Sequence, residues 1–546
     1  MTTIDTSPDA VAEPSGESAI ERSLAAIADT LTSADHKVIG RLFVAGGALG
    51  LLATLVVTVL LGLERTDGDG FLLDEGSIAQ LIDAQRIGLV FAAAFPLVLG
   101  LAIAAVPLQL GARSLAFPRL AATGLWMWLG GLVLNIVALA NNGGSLGGDA
   151  DMVDLYLASI AVMALGVTAA AGSLATSVLT TRAPGMTLKR APLFSQAVLV
   201  YAGAVLLVMP VLFGTMIYLF IDHRYSREAF GGNVGVLEWA GWVMTQPTTF
   251  LLAIPVFGLL IDQAAMVFGK RAPMRGVALA GFALIGVSAL AGVTQRGVFE
   301  VDFDQDQAGD VAQELVPYAF FNLLPLLGAV IVLGVMALAA KPEKGSTPKV
   351  TGGFILTLFG GLLVLLGMVA NALYDIVDLE LIGTVFEEGT ILAVVLGTVI
   401  GVFGGLTYWA PKFSGGTIGI AKAAPVALLA AAGAALAAVA LMVAGFLDQP
   451  GLYAGGITYD DSDLAVWNIL SVIGVVVFAL AVLAFLGLVV SARRSDDADD
   501  EPPAGVQTVE WLTASPAPTD NFETVPVVRS PEPVLDLQPA TTGSDA

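Results

Sequence analysis

Long apolar stretches constrain this chain more than any other feature of its sequence. Twelve segments each contain about twenty or more mostly apolar residues, the length at which an α-helix crosses the hydrocarbon core of a bilayer. Lipid offers no partners to free backbone groups, so each segment is predicted to be helical. The predicted fold class is an all-α integral membrane protein, a bundle of twelve transmembrane helices. The predicted spans are residues 39–63, 86–110, 120–141, 153–181, 194–221, 236–267, 277–298, 312–340, 350–372, 381–410, 421–446 and 464–491.

The overall composition agrees with a bilayer as the main partner. Hydrophobic residues make up 56% of the chain and charged residues 13%, whereas soluble domains average about 25% charged residues. The net charge of −23 argues against nucleic acid as a partner, because phosphate contacts need lysine and arginine.

Composition divides the chain into three regions. Residues 1–34 and 495–546 are acidic and predicted to be largely disordered tails, and residues 35–494 form the transmembrane domain.

Loop charges predict the orientation of the bundle. By the positive-inside rule, the side with most of the lysine and arginine is cytoplasmic and holds both termini, which predicts a multi-pass protein of the cell membrane. This side is called the basic face below, and the other side the acidic face. The acidic loops are interpreted as a solvated surface or as a docking face for a basic partner. The basic face carries Lys37, Arg41, Arg113, Arg119, Arg182, Lys189, Arg190, Lys270, Arg271, Arg275, Lys341, Lys344, Lys349, Lys412, Lys422, Arg493 and Arg494.

Several short motifs occur in one order along the chain. Val106-Pro107-Leu108-Gln109-Leu110-Gly111-Ala112 ends the second span, and Ala116-Phe117-Pro118-Arg119 follows it. Pro247, Pro255 and Gly258 lie in the sixth span, and Tyr408-Trp409-Ala410-Pro411 ends the tenth. Together with the twelve spans, these motifs resemble subunit I of the haem-copper oxidases, the cytochrome c oxidase family, from about residue 35 to 490. The resemblance implies oxygen reduction and proton pumping, with electrons from cytochrome c or quinol.

The family's chemistry requires six histidines in this subunit: three for two haems and three for a copper. This chain has only His36 and His223, predicted to lie at opposite membrane surfaces, and it has no cysteine. Neither histidine matches a ligand position, so both are interpreted as interface residues. Haem and copper are expected from the family, but their ligands are absent, and no cofactor is predicted.

The resemblance places other residues where the family has its redox and proton-transfer groups. The first haem histidine falls on Ala84 or Gln85, and the first copper histidine on Gln246, followed by Pro247, Thr248, Thr249 and Phe250. The adjacent histidine pair falls near Thr294 and Gln295, and the last two haem histidines fall on Gly389 and Ile391. The proton-channel aspartate becomes Ser114, the channel lysine falls near Phe321, and the arginine pair falls near Gly451 and Leu452, while a carboxylate persists at Asp262.

Polar residues at or beside these positions form a candidate polar core. The glutamines are predicted to bond one another or water, and each arginine either pairs with a glutamate in the haem volume or reaches the interface. A residual proton or ion path is a further interpretation. The candidate residues are Gln85, Arg86, Gln246, Thr248, Gln295, Arg296, Glu387 and Glu388.

Three functional hypotheses follow. The leading one is a non-catalytic homologue, a pseudoenzyme that acts as a scaffold or partner among other membrane subunits of a respiratory complex. The second is a working terminal oxidase with unconventional ligands. The third is an ion or solute transporter that uses the emptied core.

Overall fold

The computed structural model describes residue 25 and residues 28–66, 73–305, 307–341, 347–451, 462–492 and 505–537. Within these residues, twelve helices are long and apolar enough to span a membrane, which confirms the predicted fold class. They are α1 (His36–Glu64), α2 (Gly76–Gln109), α3 (Pro118–Ala140), α4 (Ala150–Thr180), α5 (Leu193–Arg224), α6 (Trp239–Val267), α7 (Arg275–Thr294), α8 (Gly309–Ala339), α9 (Gly352–Tyr374), α10 (Phe386–Tyr408), α11 (Ile420–Phe446) and α12 (Leu464–Ala492).

Three helices form the centre of the bundle. The most apolar part of α2 is entirely buried, and that of α6 and of α10 is 94% buried. The corresponding part of each other span is at most 67% buried, so the other nine helices surround these three. A helix that is apolar on all sides is expected in such a central position. Most of the family's redox positions, as placed by the resemblance, fall on the three central helices.

Small residues allow the helices to approach closely. A β-carbon added at Gly40 of α1 would lie 2.6 Å from the carbonyl oxygen of Gly100 of α2. One added at Gly360 of α9 would lie 2.5 Å from the carbonyl oxygen of Gly397 of α10. Larger side chains at these positions would push the helices apart, as is general for close helix packing in membranes.

Four spans depart from regular α-helix along their length, and one of them, α7, is interrupted at Val287 between Arg275–Gly286 and Ser288–Thr294. In α2, a π-helical stretch at Gly88–Ala94 precedes the α-helical Phe95–Gln109, and α8 has one at Ala319–Leu323. In α6, the 3-10 turns Trp242–Met244 and Thr248–Ala253 precede the α-helical Ile254–Val267. Such irregular turns are often found at functional sites. Each therefore marks a part of the core where the backbone geometry is specialised.

Short elements connect the spans. The strands β1 (Gly143–Gly144) and β2 (Gly147–Gly148) pair in an antiparallel hairpin between α3 and α4. Short helices also lie between spans at Leu188–Arg190, Val377–Leu379 and Ala410–Ser414, and others follow α12 at Val509–Leu512 and Pro533–Leu537.

Residues 505–537 differ from the disordered tail that their composition predicts. They form a strap that packs against the basic face, and Trp511, Phe522 and Val528 of this strap are buried. Most of the predicted N-terminal tail and residues 493–504 lie outside the described residues. The transmembrane domain is therefore followed by an ordered segment that covers one of its ends.

Candidate functional site

Ion pairs connect α1, α2 and α10 near the acidic face. The Arg65 guanidinium lies 2.7 Å from one carboxylate oxygen of Glu388, and the Gln85 amide donates a hydrogen bond of 2.8 Å to the other. The Arg65 side chain is only 3% exposed, so its charge is compensated inside the protein. Glu388 lies in the first turn of α10, where the helix dipole favours a negative charge.

A second pair lies beside the first. Arg86 is 3.2 Å from Glu387, and each side chain is about one-fifth exposed. These five residues, Arg65, Gln85, Arg86, Glu387 and Glu388, are called the Arg–Glu layer below. The layer brings together four of the residues proposed from the sequence. It also includes Arg65, which sequence reasoning assigned only to a loop, although an arginine directly after an apolar span is a signal for a buried partner.

Gln295 and Arg296 lie apart from this layer. Gln295 ends α7 in a left-handed conformation with φ of 57°, and its amide donates to the Thr215 hydroxyl at 2.9 Å. The Arg296 guanidinium lies 5.8 Å from the centre of the Phe299 ring. Among the described residues, no carboxylate lies within ion-pair distance of Arg296. Arg296 therefore takes no part in the pairing with Glu387 and Glu388.

The irregular turn of α6 holds polar side chains without protein partners. Gln246 is 2% exposed and Thr248 and Thr249 are each 1% exposed. Neither the Gln246 amide nor the two hydroxyls form a hydrogen bond with a described residue, and the same is true of the Trp242 indole nitrogen. These four residues are called the α6 polar turn below. A buried polar group that has no partner at all costs about 1–3 kcal/mol, so the α6 polar turn is a place where the partners of polar groups matter for stability.

An amide-carboxylate network links α8 and α9. The Asn371 side chain donates to Asn322 at 2.7 Å, and Asn322 donates to Asp375 at 2.7 Å. Burial raises the pKa of Asp375 to about 7, although the hydrogen bonds from Asn322 and from the Phe299 backbone oppose this shift. Sequence reasoning missed the network. Its signal was the presence of two asparagines inside otherwise apolar spans.

On the basic face, Asn521 of the strap contacts two residues at the start of α1. The Asn521 amide nitrogen lies 2.9 Å from His36 Nε2 and donates to the Ala112 carbonyl at 2.8 Å. Lys37 Nζ donates to the Asn521 side-chain oxygen at 3.0 Å. His36 Nδ1 lies 3.0 Å from the Ile103 carbonyl, so both ring nitrogens have partners within the protein. His36 is therefore a structural residue that fastens the strap.

A second part of the strap covers the end of α10. The Trp409 indole donates to the Glu510 carboxylate at 3.1 Å, and the Trp511 indole donates to the Tyr408 hydroxyl at 3.0 Å. Lys412 Nζ donates to the Thr513 carbonyl at 2.7 Å. Burial lowers the pKa of Lys412 to about 8, and the negative charge of Glu510 opposes this shift.

Ion pairs hold the end of the strap. Glu532 lies 3.1 Å from Arg271 and 3.4 Å from Arg275.

Asp262, the carboxylate that the resemblance retains, accepts two backbone hydrogen bonds from the start of α5. His223 pairs with Asp154 at 2.8 Å.

Comparison with known proteins gives a consistent result. Residues 38–294 match the family model described as Cytochrome C and Quinol oxidase polypeptide I. A putative cytochrome c oxidase subunit 1-beta from Streptomyces avermitilis is 29% identical, over 95% of this chain and 93% of the relative. Cytochrome c oxidase subunit 1 from Bacillus sp. is 28% identical, over 92% of this chain and 82% of the relative. These matches support the cytochrome c oxidase subunit I family as the one that this chain resembles over most of its length.

The residues at the family's haem positions do not fit haem. Gly389 and Ile391 offer no donor atom to iron, and proteins usually bind haem iron with His, Met, Cys or Tyr. A β-carbon at Gly389 would lie 2.7 Å from the carbonyl oxygen of Ala438, so no larger side chain fits there without movement of α11. Gln85 and Glu388 are in direct contact, which joins α2 and α10 by side chains at this level.

The residues at the copper positions do not fit copper either. Gln246 and Gln295 replace imidazoles by amides, and Gln295 already donates to Thr215. Among the described residues, no three or more histidine, aspartate or glutamate side chains converge as a metal site would require. Among the described residues, the positions that the resemblance assigns to copper ligands therefore carry amides instead of imidazoles.

Proposed function

We propose that this chain is a non-catalytic member of the subunit I family and acts as a scaffold or partner for other membrane subunits of a respiratory complex. The observation that carries the proposal is the Arg–Glu layer. Side chains from α1, α2 and α10 pair directly where the family's resemblance places a haem ligand. An ion pair of this kind stabilises helix packing and supplies no electron carrier.

The location of the protein is part of this proposal. We place it in the cell membrane with both termini on the cytoplasmic side, because the basic face carries most of the loop lysines and arginines. The strap would then lie on the cytoplasmic side. Addition of a protease to sealed right-side-out vesicles should leave a tag at the C-terminus intact, whereas the opposite orientation predicts its removal.

Oxygen uptake by the purified full chain tests the lack of catalysis. With reduced cytochrome c or a quinol as electron donor, the rate should equal that of buffer with detergent alone. A rate proportional to the concentration of the chain would support a working oxidase with unconventional ligands instead. Co-purification with other oxidase subunits in mild detergent tests the scaffold role, and a chain that is always isolated alone would contradict it.

A transporter is the second candidate function, and the α6 polar turn favours it. Four buried polar side chains without protein partners lie within one central helix, and polar groups inside spans often mark substrate paths. If the α6 polar turn lies on the path of an ion or solute, Gln246→Leu or Thr248→Val should strongly reduce a flux in proteoliposomes. Equal flux with and without these substitutions contradicts transport through this region.

A further inference from the structure

A crevice of about 420 Å³ lies between α1, α2, α10 and α12 in the half of the bundle next to the basic face. Of the described residues that line it, only Arg41 and Ser414 have polar side chains. Small residues such as Ala45 and Gly100 form the hollow, and Leu49 and Val490 at its edge are 70% and 48% exposed. The crevice therefore opens on the outer side of the bundle, where lipid lies.

The dimensions of this apolar crevice match one leaflet of a bilayer. Along α1 it runs from Arg41 to Leu49, which is about 12 Å at a rise of 1.5 Å per residue. One half of the hydrocarbon core is about 15 Å thick. A single acyl chain, parallel to the helices, has the shape and the chemistry to fill this space.

A positive charge lies at the interfacial end of the crevice. Arg41 is exposed, and its Nε donates to the backbone carbonyl of Lys37 at 3.1 Å. Among the described residues, no carboxylate lies within ion-pair distance of Arg41. The neighbouring Lys37 is engaged with Asp35 and the strap, so among the described residues next to the crevice Arg41 is the cation that remains available to a phosphate group.

Two other occupants fit less well. The chain that follows α12, residues 493–504, carries two arginines and five carboxylates in twelve residues, which does not suit an apolar space in the membrane. A helix from another subunit is about 10 Å across, so a volume of 420 Å³ holds only about one helical turn. The crevice is therefore too small for a transmembrane helix.

We propose that this crevice binds an anionic phospholipid, with one acyl chain between α1, α2 and α12 and its phosphate at Arg41. The site is independent of the proposed scaffold function. It predicts a preference for anionic over zwitterionic lipid that depends on a single arginine.

Lipid-quenched fluorescence tests this proposal on the full chain. The chain has no cysteine, so Val490→Cys provides a single position for a bimane label at the edge of the crevice. The labelled protein is reconstituted with phosphatidylglycerol or phosphatidylcholine that carries a nitroxide on the acyl chain. Quenching should show about a fivefold higher affinity for phosphatidylglycerol, the gain typical of one basic residue near an anionic surface.

Three variants identify the residues responsible. Arg41→Gln should remove the preference, and Arg41→Lys should keep most of it. Arg119→Gln, the same charge change at an exposed position on the same face, is the matched control and should leave the preference unchanged. Ala45→Phe, which places a ring in the crevice from its open side, should reduce quenching by both lipids.

Three results would overturn the proposal. The first is equal affinity for the two lipids in the otherwise unaltered labelled chain, and the second is an equal effect of Arg41→Gln and Arg119→Gln. The third is the absence of quenching by either lipid, which would indicate that protein fills the crevice. If Ala45→Phe fails to fold, as judged by gel filtration, the two arginine variants still decide the question.

Discussion

The Arg–Glu layer and the α6 polar turn occupy two regions where the family resemblance places redox ligands, and they differ in how their polar groups are satisfied. In the layer, Arg65 and Gln85 both contact Glu388 at hydrogen-bond distance. In the turn, Gln246 and Thr248 have no partner among the described residues. One region has polar groups that complement one another across three helices, whereas the other has isolated polar groups on one helix.

This difference shows that polar residues at the two sets of family positions contribute differently to the packing of the bundle. Near α10, direct ion pairs now connect the helices, so the polar residues contribute to folding. Near α6, buried polar side chains lie in an irregular turn and have no protein partner among the described residues. Substitutions in the two regions should therefore change the stability of the protein in opposite directions.

The largest loss of stability is expected for Glu388→Ala. It leaves the buried Arg65 without its carboxylate, and breaking a pair of this kind costs about 3 kcal/mol. Thermal unfolding in detergent, followed by circular dichroism, measures the change. The double variant Arg65→Met with Glu388→Met should be milder than Glu388→Ala alone, because neither charge remains. An equal loss in both variants would show that the charge pairing is not the cause.

The next largest change should be a gain of stability. Gln246→Met and Thr248→Val remove polar groups without protein partners at nearly constant shape, so each should raise the free energy of unfolding by about 1–2 kcal/mol. The same unfolding assay applies. A clear loss of stability in both variants would mean that internal water or a ligand satisfies these groups, and the contrast between the two regions would fail.

The pH dependence of stability should depend on Asp375, which lies close to the Arg–Glu layer. Burial raises the pKa of Asp375 to about 7. Between about pH 4 and about pH 7 the folded protein keeps a proton that the unfolded chain has already released, so stability falls as the pH rises through this window. From about pH 6 to about pH 8 the loss should be roughly 1 kcal/mol. Asp375→Asn should remove this part of the slope, and an unchanged slope would contradict the assignment.

The smallest change in stability is expected for Glu387→Gln. Glu387 and Arg86 are each about one-fifth exposed, and a pair with access to water contributes less than about 1 kcal/mol. The unfolding temperature should therefore change little, in contrast to Glu388→Ala one residue away. A loss as large as that of Glu388→Ala would show that the whole layer acts as one unit.

Much of the fold could be predicted because the physical signals are local. A run of about twenty apolar residues is a helix wherever it enters lipid, so all twelve spans were found from the sequence. The sequence also suggested that an arginine pairs with a glutamate near the haem positions, as Arg86 and Glu387 do. The glutamines, in contrast, were predicted to bond one another or water, whereas Gln85 donates to Glu388.

The remaining features depend on contacts between distant parts of the chain. Arg65 lies next to a loop in the sequence, yet it pairs with Glu388 more than three hundred residues later. The strap is rich in proline, threonine and acidic residues, a composition typical of disorder. Its order comes from Trp511 and Asn521, which meet Tyr408 and His36 on the surface of the folded bundle. Local composition contains no information about such a surface.

The content of haem iron and copper in the purified full chain tests the central claim most directly. A pyridine haemochrome spectrum together with elemental analysis should give far less than one haem and one copper per chain, whether or not the growth medium is supplemented with both metals. One or more haems per chain, with a Soret band that persists through gel filtration, would contradict the account.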